Sequence, residues 1–100
     1  MRIPAFAATA GLTSYRSAAP DRDLVPVADS RRVTPGATFF ACAVDEALRA
    51  RHIDQALAAG AICVVSATPP AGCPVPVLLA ARPRAAWALA SAVVHDLDRR

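Results

Sequence analysis

The residue types that do chemistry are sparse in this chain. Serines stand at 14, 17, 30, 66 and 91, and histidines only at 52 and 95. No G-x-S-x-G elbow is present to expose a nucleophile. Nothing in the spacing joins a serine to a histidine and a carboxylate, so both histidines read as structural. His95 lies beside Asp96 near the end of the last helix, where a positive charge is favoured. His52 reads as lying at or near a helix N-terminus, where the neutral ring is preferred. Cys42, Cys63 and Cys73 form no C-x-x-C pair. An odd count at irregular spacing argues against a disulfide framework or a zinc site. Cys42 and Cys63 sit in apolar runs and read as small core residues of a reducing compartment.

The carboxylates are Asp21, Asp23, Asp29, Asp45, Glu46, Asp54, Asp96 and Asp98. Asp45 and Glu46 are adjacent, so their side chains diverge on a helix or a strand. They read as a solvated helix N-terminus, where acids complement the macrodipole. The local feature richest in chemistry is Asp29-Ser30-Arg31, followed by Thr34-Pro35-Gly36 and Phe39. It puts a hydroxyl and a guanidinium just past the carboxyl end of a strand, where α/β sheets bind ligands. Serine can both donate and accept, and arginine pairs with phosphate oxygens. On spacing alone, the simpler reading is that Asp29 caps a turn and Arg31 and Arg32 are solvated.

The elements that would position these groups follow from patterning. Residues 1–23 are loosely patterned, with Pro4, Gly11 and Pro20, and read as a loosely structured N-terminal arm, with room for a short strand or helix, preceding a domain over 24–100. Leu24–Ala28 is a short apolar run that Pro26 marks as an edge strand or a bulge. Thr34-Pro35-Gly36 is a turn. Ala37–Ala43 is a strand apolar on both faces, as in a buried sheet. Ile53, Ala56 and Leu57 share a helix face, and Gly60 follows where a terminating glycine belongs. That helix starts either at Asp45 or near Arg51. Ala61–Ser66 is a buried strand, Thr68–Pro74 a loop, and Val75–Ala80 a strand. Pro83 opens a final helix that runs to about Leu97, with Ala86, Leu89, Ala90, Val93 and Leu97 on one face. The order favours a small single-domain α/β sandwich, a mixed or mostly parallel sheet with flanking helices.

Composition sets the outer limits. The chain has 100 residues, 55% apolar and 19% charged, which suits one folded domain and not a disordered chain. Aromatics are only 5%. There is no lysine, so no P-loop lysine or Schiff base, and the four glycines are isolated, so no phosphate cradle forms. The net charge is +3 and every basic side chain is Arg, scattered from Arg2 to Arg100 without a dense stripe or stacking aromatics. Nucleic-acid binding is not indicated. No apolar stretch is long enough for a membrane span. Pro4 and the absence of a leucine-rich core argue against a signal peptide, and the expectation is a cytoplasmic protein.

The stretch Val27–Leu97 resembles the N-terminal domain of Mur ligases, most closely the MurE type, enzymes that build the peptidoglycan stem peptide. The resemblance rests on D-S-R-x-V-x-P-G-x-x-F at Asp29–Phe39 and on Q-A-x-x-x-G-A at Gln55–Ala61. The apolar strand Ile62–Val65, the later Val-Pro-Val and the Pro-Arg-Ala-Ala of Pro83–Ala86 add to it. It implies the family's α/β fold and a domain that holds the UDP part of a UDP-N-acetylmuramoyl-peptide. The family's contacts fall on Ala28 and Ser30, with Arg31 beside them. A G-x-x-x-D-G loop of the family also touches the nucleotide. Here it is replaced by Val44–Arg49, so that Asp45, Glu46, Ala47 and Arg49 stand at those positions. At ~4 Å and an effective dielectric near 20, a carboxylate facing a phosphate costs of order 4 kcal/mol before screening.

The family's ATP loop lies in a following domain, so ATP and magnesium would belong there, and no cofactor is expected in this chain. Two roles stay open. One is recognition of a UDP-sugar-peptide as part of an ATP-dependent amide ligase, without independent catalysis. The other is a repurposed module that has lost the nucleotide and pairs with another protein through an apolar sheet edge or the Ala-rich helix face around Trp87; a separate ligase domain is a further candidate partner. Arg82, where the family often has Asp, is a poor helix cap.

Overall fold

A computed structural model describes the backbone of residues 1–98 and side chains through His95. The side chains of Asp96, Leu97 and Asp98, and the residues Arg99 and Arg100, lie outside the described residues. So do the expectations placed on them, including the Asp96 neighbour of His95 and the Leu97 face.

The chain forms a five-stranded mixed sheet with three helices. In chain order these are α1 (Ile3–Ala10), β1 (Thr13–Tyr15), β2 (Pro26–Val27), a single 3-10 turn (Ser30–Arg32), β3 (Thr38–Phe40), α2 (Glu46–Ala58), β4 (Cys63–Ser66), β5 (Val77–Leu79) and α3 (Pro83–Asp98). The spatial order of strands is β1-β5-β4-β3-β2. Strands β2 to β5 run parallel, and β1 joins β5 antiparallel at one edge. Pro26 lies on the opposite edge strand, where its missing N–H costs no ladder bond. The small α/β sandwich expected from element order is the one observed.

Both faces of the sheet are covered. Phe40, Cys63, Val65 and Leu78 point to one face, where Ile3, Phe6 and Ala7 of α1 and Ala86 and Ala90 of α3 pack on them. Phe39 and Val64 point to the other, under Ile53 and Ala56 of α2. Alternation along β3 and β4 therefore splits consecutive apolar residues between two cores. Small alanines on α3 let that helix approach closely. Trp87 is half-buried against the first core.

The expected loose arm over 1–23 is corrected. Ile3 and Phe6 are fully buried, and Phe6 meets Phe40 edge-on with ring centroids 6.2 Å apart. Pro4 does not break α1 because it occupies the first turn, where no N–H is needed. Gly11 ends the helix at φ 71°, in the left-handed region. The amino end is tied to 22–24 by Ile3 N–H donating to Arg22 O at 2.9 Å and Leu24 N–H to Met1 O at 2.8 Å. The helix and strand of 1–15 are thus part of the same core as the rest.

Helix α2 starts at Asp45, whose carboxylate accepts the Leu48 N–H at 2.8 Å, with Glu46 in the first turn. The start near Arg51 is excluded. His52, expected near a helix start, lies in the second turn of α2. The connection between the parallel neighbours β4 and β5 contains no helix. Residues 67–76 cross over on the α2 side, and Cys73 and Val75 of this loop close the second core.

Two stability outcomes follow. Phe6→Ala should cost about 3–5 kcal/mol, the range for a fully buried ring, read as a lower denaturation midpoint; an arm would show no loss. Arg82 accepts the Ala86 N–H at 3.0 Å and so occupies the start of α3. Arg82→Asp should raise Tm, by about 1 kcal/mol of stability, because it supplies a cap and removes a charge opposed to the dipole.

Candidate functional site

The segment after β2 is built around Asp29. Its carboxylate accepts the Arg31 N–H at 2.9 Å and so caps the 3-10 turn. The same carboxylate takes the Arg31 guanidinium on two contacts, Nε at 3.1 Å and Nη2 at 3.0 Å. The Arg31 side-chain and backbone hydrogen bonds hold the Asp29 carboxyl at about 2, well below the usual carboxylate range. In turn Asp29 raises the Arg31 pKa. The capping role read from spacing is the one observed, and Arg32 is exposed. Arg31 is also exposed, but its charge is paired and not free.

Ser30 is buried, and its hydroxyl donates to Gln55 Oε1 of α2 at 2.7 Å. That bond consumes the one donor of the hydroxyl and leaves its lone pairs as acceptors. Ala28, Asp29, Ser30 and Arg31 form one wall of a surface depression of about 430 Å³, and Arg51, His52 and Gln55 form the other. The depression lies at the carboxyl end of β2, where parallel sheets present ligand sites.

Ala28, Ser30 and Arg31, the residues singled out through the resemblance, line this one depression. The structure does not bring Asp45, Glu46, Ala47 and Arg49 to the same wall. Asp45 is spent as the α2 cap. Arg49 turns the other way: Nη1 donates to Ala43 O at 3.2 Å and Val44 O at 3.4 Å, and Nη2 to Thr68 Oγ1 at 3.2 Å. It ties the β3–α2 connection to the end of β4. Arg51, His52 and Gln55 are the contributions missed by reading the sequence. Their signal was present in helical phase, since 51, 52 and 55 flank the buried Ile53 and Ala56.

Among the described residues no group of three or more His, Cys, Asp or Glu side chains could hold a metal ion. Burial pushes the Cys63 thiol up to about 12, so it stays protonated at neutral pH. Burial also raises Cys42, opposed in part by Arg84. No helix among the described residues is long and apolar enough to cross a membrane.

Comparison with known proteins bears on this geometry. No family model matches the chain. Over 64 residues the chain is 52% identical to the UDP-N-acetylmuramoyl-L-alanyl-D-glutamate–2,6-diaminopimelate ligase of Bradyrhizobium diazoefficiens. The chain is a partial homologue of a Mur ligase. The matched stretch is 64% of this chain and 13% of the relative, so the chain spans a small part of that ligase's length.

The Asp29–Arg31 pair makes a pH prediction. A carboxyl with its pKa lowered from 3.8 to about 2 contributes stability that is present above pH 3.8 and lost as pH falls through 2. Carboxyl-detected NMR should place the Asp29 midpoint near 2. Arg31→Gln should move it up toward the ordinary carboxylate value; an unmoved midpoint would dismiss the pair as its cause.

Proposed function

We propose that this chain is the UDP-recognition domain of a MurE-like peptidoglycan-precursor ligase, not catalytic alone. The observation that carries the reading is the homology to a ligase whose name specifies a UDP-N-acetylmuramoyl-peptide, together with a depression lined by Ala28, Ser30 and Arg31. The chemistry suits a uracil base. Ser30 offers acceptor lone pairs after bonding Gln55, which matches an imide N–H donor. Arg51 and His52 offer positive charge or N–H donors to a diphosphate. Arg31 adds little net charge because Asp29 neutralises most of it.

The domain supplies binding and orientation. It holds the nucleotide end of the precursor while the amide-forming chemistry, which uses ATP and magnesium in such ligases, would take place on other domains. A cytoplasmic setting fits this substrate, which is made from a soluble nucleotide sugar.

A second reading, an interaction module without nucleotide, is favoured by the replaced loop at 44–49. Val44 there is 95% exposed, an apolar side chain where the family has glycine.

Calorimetric titration of the chain at low salt with UDP and with UDP-N-acetylmuramoyl-dipeptide decides between them. Saturable binding, weakened about 2- to 10-fold by Ser30→Ala and more by Arg51→Ala at low salt than at high salt, is expected. A folded chain that binds neither ligand at millimolar concentration would sink the recognition role.

A further inference from the structure

Two side-chain oxygens among the described residues are buried without a hydrogen-bond partner, Thr38 Oγ1 and Ser66 Oγ. Thr38 lies inside the sheet. Ser66 is different. It is the last residue of β4, a central strand, and is fully buried. It alternates with Val65 and so faces the α2 side. There it lines a second cavity of about 400 Å³, between α2 and the 67–76 crossover loop. The cavity shares no residue with the Ala28–Gln55 depression, whose linings lie on a different flank of α2.

The lining is of three kinds: apolar Ile53 and Leu57 with the prolines of the loop, polar Ser66, Thr68 and Arg49, and the exposed acids Glu46 and Asp54. Arg49 has five N–H donors, of which three meet Ala43 O, Val44 O and Thr68 Oγ1. Two are left, and no carboxylate among the described residues pairs with this guanidinium. An orphan hydroxyl and two unused guanidinium N–H groups therefore share one cavity. A buried hydroxyl without a partner costs stability, and Ser66 Oγ, unlike Thr38 Oγ1, belongs to a residue that lines a cavity.

We infer that this cavity is a second binding site, for a small monocarboxylate with an apolar tail. The carboxylate accepts from Ser66 Oγ and the free N–H groups of Arg49, and the tail lies on Ile53 and Leu57. Glu46 and Asp54 line the same cavity and repel an anion in proportion to its charge, so a single negative charge is preferred over the two of a dicarboxylate or a phosphate dianion. The site is independent of the nucleotide reading, since none of Ala28, Ser30 and Arg31 takes part.

The test is an amide NMR titration of the 100-residue chain with 4-methylpentanoate, with succinate, inorganic phosphate and UDP as comparisons. Saturable shifts centred on Ser66, Thr68 and Gly72 are expected with 4-methylpentanoate, and weaker binding there with succinate or phosphate. Ser66→Ala should weaken the binding about tenfold or more, as for a lost hydrogen bond to a charged acceptor. The same change should raise the Tm of the free protein, because it removes an unpaired buried hydroxyl. Arg49→Lys, which keeps charge but loses the fork, should also weaken binding. Absence of saturation, or equal affinity in Ser66→Ala, overturns the site. Shifts of the same residues by UDP, with displacement of the acid, would overturn its independence by making the cavity part of a nucleotide site.

Discussion

Between the backbone of Gly60 and Pro35 there is room for a hydrogen and nothing larger. A Cβ on Gly60 would stand 2.8 Å from Pro35 Cα, and Gly60 holds φ at +101°, where side chains are strained in any case. The Gly36 N–H donates to Gly60 O at 2.9 Å, and the Ile62 N–H to Ala37 O at 2.9 Å. The turn before β3 is thus seated on the end of α2, and β4 leaves from that contact in register with β3. Five residues earlier on each segment, Ser30 donates to Gln55. The turn segment 29–39 and the helix segment 55–61 are therefore clamped at two points, one by a hydrogen bond and one by backbone contact. Everything that the Ala28–Gln55 depression needs is set by that clamp.

This bears on what the sequence motif means. Asp29, Ser30, Pro35, Gly36, Gln55 and Gly60 read as two separate motifs along the chain. In space they touch each other. Much of the pattern is accounted for by mutual packing: Asp29 caps, Ser30 bonds Gln55, and Gly60 admits Pro35. The same bonds decide the chemistry left over. Asp29 pairs with the charge of Arg31, and Gln55 Oε1 accepts the hydrogen bond of the Ser30 hydroxyl, so the depression offers an acceptor oxygen at Ser30 and relies on α2 for unpaired cationic groups.

What was legible before the structure divides along physical lines. The central strands and the faces of α2 and α3 were readable because apolar periodicity is a direct trace of burial. Asp45 was ambiguous as a helix start only because Ala and Arg continue the helical composition past it; the cap itself is ordinary. Helix α1 was hidden by Pro4 and Gly11, which punctuate loops and also begin and end helices. The shortness of the strands was hidden too, since apolar runs extend beyond the paired residues. Of the depression, Ser30 and Arg31 stood out in the local D-S-R motif, while Ala28 was named only through the family resemblance. The wall from Arg51, His52 and Gln55 was not readable, because it depends on which flank of α2 turns toward β2.

Helix α2 is where these considerations meet. Its inward stripe, Ile53 and Ala56, is committed to the sheet. One flank turns Arg51, His52 and Gln55 toward the end of β2, and the other turns Arg49, Ile53 and Leu57 toward the crossover loop. That second flank exists because 67–76 crosses as a proline-rich loop and not as a helix. A helix in that position would cover β4 and β5 with side chains and meet Ser66 with apolar surface. The loop closes the core with Cys73 and Val75 and leaves space beside α2. Arg49 spans this opening, bonded to carbonyls on one side and Thr68 on the other. Residue 49 thus has a structural consequence of its own: its guanidinium puts a positive charge on the flank of α2 that faces β4.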